Sequence, residues 1–281
     1  MVGILLLGYD TEYGVWGDPE VSVRAVKAIA KVHENHGAPA TFFICGKVLE
    51  ARRTEFRKIL DDDLFDVQSH TYSHIDLRSA DLKKVKEEIQ KTNELINSIF
   101  GKAVKGLRTP GGYYRGLQGR SDILSIIWES GIRFVSSDAT GKHGTMPAPF
   151  NQPYWYAEDG FPELLEIPVQ GWHDNLLKAY APLGGKVKTM VIWPPITPWP
   201  LPKKPPRTPQ EEFAVHKKYL DYASENDMIY SPAFHPWSIY RLNPEARTID
   251  LILEYAKKKN MTIITYYDLY KELVEKCPVS F

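Results

Sequence analysis

GILLLGYDTEYGVWGDPEVSVRAVKAIAKVHENHGAPATFFICG, residues 3–46, sets the fold. Ile4 to Leu7 is an unbroken apolar run, the signature of a strand buried on both faces. From 19 to 36 the apolar positions Val21, Ala25, Ala28, Ile29 and Val32 recur on one helical face. Pro19 suits the first turn of that helix and Gly37 its stop. Ala40 to Ile44 is the next strand. Strand, helix, strand in this order makes a parallel pair with the helix crossing over.

The pattern continues in both directions. Residues 48–60 read as a helix and Phe65 to Gln68 as a strand. The stretch 79–99 reads as a long helix with Leu82, Val85, Ile89, Leu95, Ile96 and Ile99 in register, ended by Gly101. Val104 to Leu107 is a strand, 119–130 a helix and Ile132 to Val135 a strand. Near the far end a strand at Met228 to Tyr230, a helix over 244–259, a strand from Thr262 to Thr265 and a helix over 267–275 repeat the unit. This alternation implies an α/β protein with a parallel sheet and helices outside it. One barrel-like domain over 1–281 accounts for both ends, with a Pro-rich insertion at about 193–209. Eight of the sixteen residues from Pro194 to Pro209 are proline, with Trp193 and Trp199 alongside. That segment cannot be a helix or an inner strand. It is either a rigid surface connection or a loop that walls the active site.

Composition narrows the function classes. Lys+Arg and Asp+Glu balance at 35 each, which argues against a nucleic-acid partner. No apolar run approaches a membrane span, and the N-terminal run is too short for a signal-peptide core. A cytoplasmic protein with no membrane partner is expected. Of the two cysteines, Cys45 lies in an apolar run and reads as a buried free thiol rather than a disulfide partner of Cys277. The sequence leaves a homo-oligomer open.

In a parallel barrel, reactive groups gather where strands end. Behind the first strand stand Asp10 and Glu12; behind the third, His70 and His74; behind the fourth, Arg108 to Gly112; behind the fifth, Asp138; behind the strand near 230, His235 and Trp237. His70 and His74 are four apart, a spacing that one helical turn brings together as two ligands of one metal. Two imidazoles and a carboxylate leave open positions for water and substrate, as catalytic sites do. Asp10 and Glu12, one residue apart, point the same way from an extended chain. One of them can bind metal while the other takes a proton, or both can cap the next helix. His235 is either a structural histidine or a general acid. Arg108 and Asp138 are surface ion-pair residues or groups that orient that base and acid. Gly111 and Gly112 are a turn or a source of a backbone N–H for an oxyanion.

The run Ala40-Thr41-Phe42-Phe43-Ile44-Cys45-Gly46, the His70-x-x-x-His74 pair, Arg108-x-Pro110-Gly111, Asp138 and the late His235 occur in an order that resembles the polysaccharide deacetylase (NodB homology) family, carbohydrate esterase family four. The resemblance covers roughly residues 3–270. It implies a distorted (β/α) barrel of seven or eight parallel strands and a zinc-like divalent ion, with cobalt or nickel as alternatives. Carried over, Asp10 is the base, Arg108 its partner, Glu12, His70 and His74 the metal ligands, Gly111 the oxyanion donor and His235 the acid. Asp138 would tune His235. Two features depart from the family's usual pattern. Thr11 stands where most members have a second aspartate, so the ligand is read as Glu12. Ala139 stands where a Trp usually follows the Asp.

The segments Glu166 to Asn175 and Phe234 to Trp237 resemble a branch with intracellular peptidoglycan-deacetylase-like and allantoinase- or cyclic-imidase-like members. There Trp172, His173 and Asp174 are expected to line the substrate site unless they simply build a structured loop, and Tyr113 and Trp237 are expected to bind substrate as well. The implied activity is metal-dependent hydrolysis of a non-peptide amide, first an N-acetylated sugar or related amide. The alternatives are a cyclic amide, imide or ureide, and a binding protein without activity.

Overall fold

The computed structural model describes residues 2–14, 17–179, 202 and 204–276. The N-terminal run forms β1 (Ile4–Leu5) and β2 (Gly8–Thr11), followed by α1 (Pro19–His36), β3 (Ala40–Ile44), α2 (Gly46–Ala51), α3 (Arg53–Leu60) and β4 (Phe65–Ser69). Then come α4 (Leu82–Phe100), β5 (Gly106–Tyr113), α5 (Ser121–Glu129), β6 (Phe134–Asp138), β7 (Tyr154–Tyr156) and β8 (Phe161–Glu166). The chain continues through α6 (Asp174–Leu177), α7 (Pro209–Glu225), β9 (Ile229–Tyr230), β10 (Ala233–Phe234), α8 (Pro236–Leu242), α9 (Arg247–Lys258), β11 (Thr262–Ile263) and α10 (Tyr266–Lys276).

The main sheet has the order β10-β2-β3-β4-β5-β6-β8-β7, and β1 pairs with β9 and β11 in a smaller one. Every pairing is parallel except β7 with β8, so seven parallel strands and one antiparallel edge make up the main sheet. Beyond β8 the chain crosses to the opposite end of the sheet: Gln170 N–H donates to Ser231 O at 3.0 Å, and its side-chain oxygen accepts from Ser231 N at 3.0 Å. These bonds bring the two ends of the curved sheet together, as a distorted barrel requires.

Neighbouring residues of β3 serve different cores because strand side chains alternate between faces. Phe42 joins the large cluster between sheet and helices and stacks on Tyr9 at 5.0 Å, while Phe43 joins Leu6, Phe134, Leu165 and Tyr266 on the other face. Burying each such aromatic contributes roughly 1.5–3 kcal/mol. Gly106 opens β5 because a Cβ there would lie 2.1 Å from the Phe134 ring.

Helix α1 keeps the boundaries read from its sequence. The Asp18 side chain accepts from Glu20 N at 2.9 Å, and Gly37 closes the helix in the left-handed region at φ 55°. The second helix is instead two, broken where Arg52 leaves helical geometry (φ −140°, ψ 44°). Helix α4 starts at Leu82 because Asp81 caps it by accepting from Lys84 N. That cap turns Leu82 outward, 41% exposed, so it is not part of the core stripe. The fourth strand runs on through the Arg108 motif to Tyr113, and the fifth lies over 134–138 rather than 132–135. The sequence reading contained no β7, β8, α7 or α8. Most of the Pro-rich stretch, 193–201 and 203, with Trp193 and Trp199, lies outside the described residues, as does Cys277. Cys45 is buried and free.

Candidate active site

Parallel register brings the motif residues to one end of the sheet. Asp10 is the third residue of β2 and Glu12 lies just past its end. His70 follows β4, Asp138 ends β6 and His235 follows β10.

The two histidines do not share a helical turn. Residues 70–74 form a loop in which Thr71 (φ 59°) and His74 (φ 61°) are left-handed, and this doubling back brings the rings to 5.1 Å. The loop is tied down from two sides. Gly46 N and Lys47 N at the start of α2 donate to Thr71 O and Tyr72 O, and the buried Glu88 carboxylate of α4 accepts from Ser73 N at 2.6 Å and Ser73 Oγ at 2.7 Å. A loop so anchored holds the histidine spacing that a helix would otherwise supply.

Donor atoms of Glu12, His70 and His74 lie within 4.8 Å of one another. His70 Nδ1 donates to Arg108 O at 2.9 Å, which leaves Nε2 with its lone pair free for a cation. Burial holds the His70 imidazole at a pKa of about 4, so it is neutral at physiological pH. Glu12 Oε2 meets His74 Nε2 at 2.6 Å and Oε1 accepts from Trp237 Nε1 at 3.0 Å. Burial opposes ionisation of Glu12, but the His74 hydrogen bond and the nearby His235 imidazolium outweigh it and bring the carboxyl down to about 2. Two imidazoles and one ionised carboxylate with a fixed outer shell fit a divalent ion such as zinc.

Asp10 Oδ1 accepts from Arg108 Nη1 at 2.9 Å. The guanidinium is buried, lies over the Phe43 and Tyr266 rings, and donates through Nη2 to the Tyr266 hydroxyl at 2.5 Å. Burial disfavours its charge, but Asp10 more than compensates and keeps Arg108 protonated. Gly111, exposed at φ 71°, has open space where a Cβ would point.

The largest correction concerns the partner of His235. Asp174, rather than Asp138, meets His235 Nδ1 at 2.7 Å and also accepts from His235 N at 3.0 Å. Asp174 is fully buried, so it supports the imidazole and does not line a substrate surface. Burial disfavours the protonated imidazole, but the Asp174 charge and hydrogen bond, with Glu12 and Asp10 behind them, raise His235 to about 9. Asp138 accepts instead from Arg115 N at 3.2 Å and Asn151 Nδ2 at 3.0 Å and faces a polar cavity of about 450 Å³. The reason is reach: β6 ends beside β5, whereas the short helix α6 packs directly on β10.

Two more of the expected substrate-facing residues are otherwise engaged. Trp237 is 2% exposed and its indole N–H is on Glu12, so it steadies that carboxylate. The Tyr113 hydroxyl donates to Asp76 Oδ1 at 2.7 Å and accepts from Leu77 N at 3.1 Å. Trp172 is half-buried beside His173, whose Nε2 donates to Ala139 O at 3.0 Å. Sequence reasoning overlooked Lys178, Glu212 and Tyr266. Lys178 sits four residues after Asp174, a visible spacing, but its other partner Glu212 comes from a distant helix.

Fold and strand-end clustering put this protein among α/β barrels whose chemistry is borne on the C-terminal rim of the sheet. Residues 5–121 match the family described as Polysaccharide deacetylase. The "Peptidoglycan-N-acetylglucosamine deacetylase" of Bacillus cereus is 32% identical over 79 residues, 28% of this chain and 28% of the relative. The chain thus matches less than a third of that curated relative's length. A solved structure described as a "probable Polysaccharide deacetylase" from Pseudomonas aeruginosa PAO1 superposes with a TM-score of 0.70 at 15% identity, over 99% of this chain and 92% of the other. PuuE allantoinase gives the same values. At that identity the two structures speak to fold alone. Over residues 5–121 the chain is thus similar to the polysaccharide deacetylase (NodB homology) family. Among the described residues, no helix is long and apolar enough to cross a membrane.

Proposed function

We propose that this protein is a metal-dependent hydrolase of non-peptide amide bonds that removes the acetyl group from an N-acetylated sugar or a related amide. The observation that carries the reading is the convergence of Glu12, His70 and His74 within 4.8 Å, adjoined by the Asp10–Arg108 and Asp174–His235 pairs. Glu12, His70 and His74 would hold the ion, zinc first, with cobalt or nickel as alternatives. A divalent cation there supplies Lewis-acid polarisation of the amide carbonyl and acidifies water at the site.

The remaining work falls to the chain's own groups. Asp10, held in place by Arg108 Nη1, accepts a proton from the attacking water. The Gly111 N–H is offered to the developing oxyanion. His235, its Nδ1 occupied by Asp174, gives the Nε2 proton to the departing nitrogen.

The likeness to PuuE allantoinase keeps a cyclic amide or ureide as the second substrate class. The test is an assay of acetate release from N-acetylated sugars beside ring opening of cyclic amides, with zinc, cobalt or nickel added and with chelator. Metal-dependent acetate release, reduced about 10³-fold or more in His70→Ala, is expected. Ring opening without acetate release would select the second class. Neither activity with any of the metals would sink the catalytic reading and leave a binding protein.

A further inference from the structure

Behind His235 runs a chain of buried charge. Asp174 Oδ1 holds the imidazole Nδ1 at 2.7 Å, and Asp174 Oδ2 accepts from Lys178 Nζ at 3.1 Å. Lys178 Nζ also donates to Glu212 Oε1 at 2.7 Å, and Glu212 Oε2 accepts from Thr248 Oγ1 at 2.8 Å. Asp174, Lys178 and Glu212 are each 0% exposed. Lys and Glu are almost never fully buried unless paired, and well-packed apolar side chains would serve stability as well or better. The arrangement therefore asks for a role other than packing.

From this geometry we propose that Lys178 and Glu212 are positioning residues for His235, holding Asp174 ionised and turned onto the imidazole so that Nε2 stays protonated toward the site. The proposal rests on the reading of His235 as the general acid. Signs alternate along the chain: imidazolium, carboxylate, ammonium, carboxylate. Lys178 keeps the buried Asp174 from taking up a proton, as an isolated buried carboxylate would. Glu212 absorbs the charge of Lys178, which would otherwise oppose protonation of His235. Other charged or titratable groups around His235 are Asp10 on β2, Glu12 just past it, His173 ahead of α6, and His216 on α7 near Phe234. They are the same in every variant below and cancel from the comparison.

The test is an NMR titration of histidine-labelled protein, with the His235 signal assigned by its loss in His235→Gln, run with and without zinc. Glu212→Gln removes a negative charge and should lower the His235 midpoint by about one pH unit. Lys178→Met removes a positive charge and should raise it by a similar amount. The double variant Lys178→Met/Glu212→Gln is charge-balanced, is the arm safest for folding, and should return the midpoint close to that of the parent. In amide hydrolysis, Glu212→Gln should lose about tenfold in kcat/KM at alkaline pH and little in acid, with the double variant recovering.

A side chain that only packs would give no opposed shifts and no recovery. A His235 midpoint that stays fixed in Glu212→Gln, or a double variant displaced like Glu212→Gln, overturns the proposal whatever the activity does. If the midpoints move as stated but His235→Gln hydrolyses normally, the charge chain stands and the acid role falls.

Discussion

Two carboxylate–cation pairs adjoin the Glu12–His70–His74 cluster, and they are built the opposite way round. In the first, Asp10 keeps 7% of its surface exposed while Arg108 behind it is buried at 2%. In the second, His235 keeps 8% and Asp174 behind it has none. The group that reaches the site is thus the carboxylate in one pair and the cation in the other. Arginine does not give up its proton, so Asp10 has a partner that can only orient it. Histidine does, and Asp174 raises its hold on that proton without ever touching substrate. On the proposed mechanism the same two charge types make a base on one side and an acid on the other, decided by which member is buried.

The largest expected effect is on the first pair. Asp10→Asn keeps the hydrogen-bond geometry to Arg108 but cannot take a proton, and should lower kcat by about 10³–10⁴-fold. Equilibrium dialysis should find zinc binding unchanged; a loss of zinc would mean that Asp10, rather than Glu12, supplies the metal carboxylate.

The second pair should differ in kind. His235→Gln is expected to cost about 10²–10³-fold on amides whose leaving nitrogen needs a proton. The cost should shrink to a few-fold on an activated anilide, while Asp10→Asn stays slow on both. Equal losses on both substrates for both variants would erase the distinction between acid and base.

The smallest effect concerns the link between the cluster and its surroundings. Trp237→Phe keeps an aromatic ring but removes the donor to Glu12 Oε1, and should weaken metal affinity by about 10–100-fold. Activity should return with excess zinc. A variant that stays slow in excess zinc would place the indole in the reaction or its substrate instead.

How much of this was legible in the sequence depends on distance along the chain. Helix α1 was, at both ends, because Pro19 and Gly37 act within a turn of where they stand. The break at Arg52 was not, since residues 48–60 keep a helical pattern across it. Asp10, Glu12, His70 and His74 could be gathered from strand-end placement, because parallel strands all finish on one rim, and the family resemblance then picked Glu12 of the two carboxylates. Its local geometry was misread: spacing four suggests a helical turn, yet left-handed Thr71 and His74, pinned by Glu88, do the same job in a loop.

The Asp138 and Asp174 readings went astray for one reason. Asp138 follows a strand read from the sequence while Asp174 lies in a stretch given no element, and nothing in the order of residues says which carboxylate lies under an imidazole that follows a later strand. The sequence by itself determined the alternation of strand and helix, the parallel sheet and the side chains that gather at its C-terminal rim. These follow from periodicity and end signals that act over a few residues. Only the tertiary structure decided that Asp174 backs His235, that Trp237 steadies Glu12 and that Lys178 and Glu212 extend the charge chain. Such contacts depend on where separate elements end in space, and burial then sets which member of each pair faces the site.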